Sequence, residues 1–180
     1  HDVFPCQAAL PWAAGVYFLE DRYCVARSSL RAHVRPEVVE HECIHAYCWS
    51  IPSFSSSRFV AEGIAEYLRF VLPGDYGLDV PRDRLADHFA DLDLLLRIMQ
   101  ARGVAIRSID PHRLVDLSPR DFYALRHFSY LVAQLTMAYV GGDVIERALA
   151  AGSDAAIVAA VRAIAWDDFL AFVRNEAKDG

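Results

Sequence analysis

The stretch VVEHECIHAYCW, residues 38–49, places His41 and His45 four positions apart with Glu42 directly after the first histidine. At about 100° per residue the two imidazoles lie about 40° apart on one helix face and one turn along the axis, so both can reach a single ion. Glu42 projects from the flank of that face. In this arrangement two histidines hold Zn2+ and the glutamate, beside the metal but not bound to it, takes a proton from the coordinated water. A chain of this composition carries such a pentapeptide by chance roughly once in a hundred sequences, so its weight depends on what surrounds it.

Working outward, Pro36 suits the first turn of the helix, which runs to about Trp49 and is broken by SIPSFSSS, residues 50–57. Ser57 is the expected cap of a second helix, RFVAEGIAEYLRFVL, which stops before Pro73 and Gly74. If the loop folds the two helices antiparallel, Glu62 reaches the open side of the metal as third ligand. Glu66, one turn on, is placed to accept a hydrogen bond from the non-ligating nitrogen of one histidine. Alone, Glu62 and Glu66 would read as a solvated stripe; beside HECIH they read as a ligand and its supporting carboxylate.

HECIH at 41–45 followed by FVAEGIAEY at 59–67 resembles the gluzincin branch of zinc metallopeptidases, in particular peptidase MA-like bacterial proteins. The resemblance implies zinc on His41, His45 and Glu62, with Glu42 as general base. It also implies that an acidic residue one turn after the ligand glutamate orients a histidine; this chain has Glu66 where thermolysin-like members have aspartate.

Ahead of the motif, GVYFLEDRYCVAR reads as a hairpin, with strands Val16–Leu19 and Tyr23–Ala26 around a Glu20-Asp21-Arg22 turn. The resemblance makes Tyr23–Arg27 the edge along which an extended peptide lies. After the motif, a third helix is predicted at about Arg82–Ala101. Ser118-Pro119 starts a long helix to Val140, ended by Gly141-Gly142, and two or three short helices fill 143–177. The fold class is thus α+β and mostly α: a small N-terminal β-element, the zincin active-site helices and a C-terminal helical subdomain. Residues 1–180 form one catalytic domain, with 1–72 carrying the β-element and zinc helices and 73–180 a helical lobe closing the cleft.

Hydrolysis through a tetrahedral intermediate needs a donor for the developing oxyanion. Tyr123, His127, Tyr130 and Gln134 make one polar stripe on the long helix, predicted to face the cleft while Leu125, Phe128, Val132 and Leu135 pack inward. Tyr123 and Tyr130 are the preferred donors and His127 the next, since a neutral imidazole must be held in the right tautomer. Arg58, one turn before Glu62, is expected to pair at the surface; the alternative is that it reaches the site to hold a substrate carboxylate. Cys48 shares the histidine face but lies about 10 Å along the axis from His41, too far to join the same ion. Cys43 points to the opposite side and reads as a small core residue. His1, His33, His88 and His112 have no partner at ligand spacing.

With 54% hydrophobic and 12% aromatic residues, 180 residues suffice for one sizeable core. A net charge of −6 with scattered basic residues argues against nucleic acid. No run of about 20 apolar residues predicts a membrane span, and a soluble protein is expected. Cys6, Cys24, Cys43 and Cys48 fit either two disulfides or four reduced thiols, although Cys43 and Cys48 cannot pair with each other. The chain opens at His1 without a leader pattern, which leaves its compartment open. The leading expectation is a zinc peptidase acting on a peptide or small amide. The alternatives are a biosynthetic amide hydrolase with a dedicated substrate, or a silent zinc scaffold or partner-binding domain. Intact Glu42 speaks against a silent scaffold, because a purely structural site has no use for it.

Overall fold

The computed structural model describes residues 15–18, 23–26, 36–51, 53, 54, 57–71, 85–125 and 127–179, and of residues 15–18, 23–26, 36–39, 127 and 179 the backbone alone. Phe59 to Ala65 are buried in unbroken succession, which a helix can sustain only when neighbours enclose it on every side. This is the first half of the helix Arg58–Val71, and the fold is organised around it. Ordered along the chain, the helices are Pro36–Trp49 (α1), Arg58–Val71 (α2), Leu85–Ala101 (α3), Pro111–Leu114 (α4), Pro119–Ala124 (α5), His127–Val140 (α6), Gly142–Ala151 (α7), Ala155–Arg162 (α8) and Trp166–Asp179 (α9), with a 3-10 turn at Ile106–Ile109. The described chain is therefore mostly helical. No helix among the described residues is long and apolar enough to cross a membrane.

α2 packs most closely on α6 and next on α1, while α9 lies along α3. The α2–α6 approach depends on Gly63. A Cβ there would stand 2.7 Å from the Ala133 carbonyl oxygen and 3.0 Å from Met137 Cγ, so only a residue without a side chain lets the two backbones come this near. Around that contact runs a hydrophobic cluster that includes Ile44 of α1, Phe59 and Ile64 of α2, Phe89 and Leu92 of α3, Val132 and Leu135 of α6, and Phe169 and Val173 of α9.

Several expected boundaries are present. α1 spans Pro36–Trp49, Gly141 at φ 90° separates α6 from α7, and Gly152 at φ 68° is the left-handed cap of α7. Three short helices, α7 to α9, fill the C-terminal part. The long helix predicted from Pro119 to Val140 is instead two helices, broken after α5. There the Ser129 hydroxyl donates to the Phe122 carbonyl (2.9 Å) and the Leu125 N–H turns back to the same carbonyl, so the last turn of α5 closes on itself. Ser57 does more than begin α2: its hydroxyl donates to the Val115 carbonyl 2.7 Å away, tying the start of α2 to the end of α4. Phe128, expected to pack inward, is exposed.

Near the N-terminus the backbones of Gly15–Phe18 (β1) and Tyr23–Ala26 (β2) pair antiparallel, with Val16 opposite Val25 and Phe18 opposite Tyr23. The predicted turn at 20–22, Leu19, Arg27, Leu72 and the expected start of α3 at 82–84 lie outside the described residues.

Candidate metal centre

α1 and α2 lie side by side, so the face carrying His41 and His45 meets the buried half of α2. Glu62 lies at that meeting point, 3% exposed. A carboxylate so placed loses several kcal/mol of hydration and must be met by donors or cations. His45 Nε2 is 3.1 Å from Glu62 Oε2, His41 Nε2 is 3.2 Å from the same oxygen, and the two Nε2 atoms are 3.0 Å apart. Three ligand-type atoms from two helices thus form a nearly equilateral triangle, and a His–His–Glu group of this kind can hold a metal ion.

The surrounding side chains fix each of the three. Glu66 Oε1 lies 3.1 Å from His41 Nδ1, and Arg69 Nε lies 3.0 Å from Glu66 Oε2, so a chain of opposite charges backs the outer nitrogen of His41. His45 stacks on Trp49 one turn along α1, with ring centroids 4.7 Å apart and planes 9° from parallel. The second oxygen of Glu62 accepts a hydrogen bond from the Tyr123 hydroxyl at 2.9 Å. Arg58 NH1 is 3.7 Å from that same oxygen, and the guanidinium sits over the rings of Trp49 (5.3 Å) and Tyr123 (5.5 Å). Arg58 therefore belongs to the site and not to the surface ion pair expected of it; the two aromatic faces hold it there.

The electrostatics follow from burial and these contacts. Burial disfavours the charged forms of His41 and Glu62, but in the metal-free protein their mutual contact, with Glu66 added, outweighs it. His41 is held up at about 10 and Glu62 well below the usual carboxylate range. His45 is lowered, because burial dominates its contact with Glu62, and it stays neutral. Glu66 is lowered, since His41 and Arg69 together exceed its burial penalty. The phenols of Tyr123 and Tyr130 are pushed up, first by burial and then by the Glu62 carboxylate, so both remain hydrogen-bond donors.

Glu42 is buried on α1 between the two histidines, near enough to Tyr123 for its charge to raise that phenol further. Tyr130 sits behind Tyr123, rings 6.4 Å apart, with Phe122 against both. The break between α5 and α6 thus keeps the two tyrosines adjacent although they are on different helices. The side chain of His127 lies outside the described residues. Gln134 does not face the metal site; it is buried and its Oε1 meets His88 Nδ1 at 2.8 Å. His88 therefore has a structural partner in α6, and His112 Nδ1 meets the Arg162 carbonyl at 2.9 Å.

Neither described cysteine joins the site, and both are free thiols. Cys48 is buried in the core, where desolvation pushes its thiol up to about 12, far from the thiolate a metal needs. Cys43, read as a core residue, is exposed. It lines a groove of about 590 Å³ with Ile44, Tyr67, Leu68, Ile145 and Leu149, on a side of α1 that carries none of the three ligand atoms. Cys6, His1, His33 and the side chain of Cys24 lie outside the described residues.

Two contributors, Trp49 and Arg69, were not singled out from the sequence. Their signal was present in the spacing: Trp49 is four positions after His45 and Arg69 three after Glu66, each on the same helix face as its partner. Comparison with family models, with curated proteins and with solved structures gives no match for this chain.

Proposed function

We propose that this protein is a zinc-dependent hydrolase of the gluzincin type that cleaves a peptide or related amide bond. The observation that carries the reading is the triangle of His41 Nε2, His45 Nε2 and Glu62 Oε2, with sides of 3.0, 3.1 and 3.2 Å. A tetrahedral zinc ion with bonds of about 2.0–2.1 Å separates neighbouring ligand atoms by roughly 3.3–3.4 Å, so the three need part by only a few tenths of an ångström. Two imidazoles and one carboxylate are also the ligand types that leave a fourth position for water in catalytic zinc sites.

Zinc held there supplies a Lewis acid that makes the coordinated water acidic near neutral pH. The protein's own groups do the rest. Glu42 takes a proton from the attacking water and passes it to the leaving nitrogen. Tyr130, kept protonated by burial and by Glu62, is the donor for the oxygen on which negative charge develops, while Tyr123 gives its one hydroxyl proton to Glu62 Oε1. Glu66 Oε1, 3.1 Å from His41 Nδ1, is the carboxylate placed to orient that imidazole, and Trp49 fixes the ring plane of His45. We take β2 as the sheet edge that aligns an extended substrate, because the hairpin lies against α1.

The test is cleavage of a broad peptide library by zinc-loaded wild-type protein beside Glu42→Gln. The variant is expected to keep its zinc and lose activity by about 10²–10⁴-fold. Wild-type protein that binds one zinc and cleaves no member of the library would replace this reading with that of a silent zinc scaffold.

A further inference from the structure

Arg58 presents more hydrogen-bonding capacity than the site consumes. Its nearest carboxylate oxygen, Glu62 Oε1, is 3.7 Å away, beyond ordinary hydrogen-bond range, and already accepts the Tyr123 hydroxyl at 2.9 Å. The guanidinium is nonetheless held in place by two aromatic faces, Trp49 and Tyr123, and its side chain keeps 26% exposure. A planar cation clamped between rings presents its N–H groups from its edge, in the fork that matches a carboxylate. It stands beside the metal ligands, near enough for its charge to act on His45.

We propose that Arg58 is a specificity-determining residue that grips a substrate carboxylate, so that the preferred substrates end in a free carboxyl group close to the scissile bond. This deepens the hydrolase reading and rests on it. The spacing suits it. Arg58 is one helical turn from the ligand Glu62, and a peptide places its terminal carboxylate roughly 3.5 Å, one residue, beyond the carbonyl being attacked. Glu62 holds the guanidinium only loosely, since its nearer oxygen is 3.7 Å from Arg58 NH1 and accepts the Tyr123 hydroxyl at 2.9 Å.

The experiment compares free-acid with C-terminally amidated partners in two measurements. In the first, zinc-loaded Glu42→Gln protein, with and without Arg58→Gln or Arg58→Lys, is titrated calorimetrically with N-acetylphenylalanine and with its amide. Zinc content and thermal unfolding are recorded for each variant. The acid is expected to bind more tightly than the amide by about 10–100-fold. Arg58→Gln removes that preference and leaves zinc content unchanged, and Arg58→Lys, which keeps the charge but not the fork, retains part of it. In the second, matched acid and amide peptide libraries are offered to protein with Glu42 intact, where Arg58→Gln is expected to raise KM for the acids with little change in kcat. An acid preference that survives Arg58→Gln would assign the carboxylate to the metal and overturn the proposal, as would equal binding of acid and amide by protein with Arg58 present. Should Arg58→Gln fail to fold, Arg58→Lys decides: an undiminished acid preference overturns the proposal. Absence of any cleavage would instead overturn the hydrolase reading, with the binding comparison still reporting on Arg58.

Discussion

Replacing Gly63 by alanine tests the packing on which the site depends. The new Cβ would lie 2.7 Å from the Ala133 carbonyl oxygen, where ordinary contact begins at 3.4 Å, so the α2 and α6 backbones must part by about 0.7 Å. The obstacle is main chain and has no rotamer by which to move aside. Overpacking of this kind costs about 1–3 kcal/mol, and the better helix propensity of alanine returns up to about 1 kcal/mol. With a rigid obstacle the cost should fall near the upper end, leaving the variant less stable by about 2 kcal/mol. For a chain of this size that corresponds to a melting temperature lower by about 4–8 °C. The assay is thermal unfolding of metal-free protein by circular dichroism, with calorimetry to check that the transition is two-state. Because Gly63 adjoins Glu62, the same shift should also weaken metal retention. A Gly63→Ala protein that melts at or above the wild-type temperature would refute the argument that this glycine sets the distance between the two helices.

Further outcomes follow from the electrostatics and the hydrogen bonds. In metal-free protein His41 holds its proton up to about pH 10, and the proton must leave before that nitrogen can bind metal. Apparent zinc affinity measured by chelator competition should therefore rise roughly tenfold per pH unit between about pH 7 and 9. Stability of the metal-free protein should run the other way. A histidine whose pKa is raised on folding contributes fully below the unfolded value of 6.5, and that contribution is lost as pH climbs toward 10. Its melting temperature should accordingly decline across this interval, and a flat profile would show that His41 is not charged in the fold. Tyr123→Phe removes the hydrogen bond to Glu62 Oε1 and should weaken zinc binding by about 10–100-fold, whereas Tyr130→Phe, which makes no such bond to the ligand, should leave it near wild type. Equal zinc affinity in the two variants would detach Tyr123 from the ligand set.

The candidate ligand group was legible because its members obey local rules. His41 and His45 share a helix face by their spacing, and Glu62 and Glu66 repeat one turn apart on a helix whose start and stop signals are plain. Helix ends marked by Pro or Gly, at Pro36 and Gly141, were equally readable. What escaped was set by contacts between distant residues. The break between α5 and α6 depends on the Ser129 hydroxyl finding the Phe122 carbonyl, which no periodicity announces. Arg58 was assigned to solvent because a single helix offers it only Glu62; the Trp49 and Tyr123 rings that hold it come from two other helices. Gln134 shares a predicted face with Tyr130, yet it is turned to α3 by His88, a residue far away in sequence. Gly63 read as one more residue of the motif until its distance to Ala133 gave it a role.

The most direct test of the account is the metal environment itself. Protein reconstituted with one equivalent of zinc should give an X-ray absorption spectrum with two imidazole nitrogens and two oxygens, one from Glu62 and one from water, all at about 2.0–2.1 Å. A sulfur shell near 2.3 Å, a fourth protein ligand in place of water, or zinc that does not remain bound in stoichiometric amount would contradict a catalytic site built on His41, His45 and Glu62.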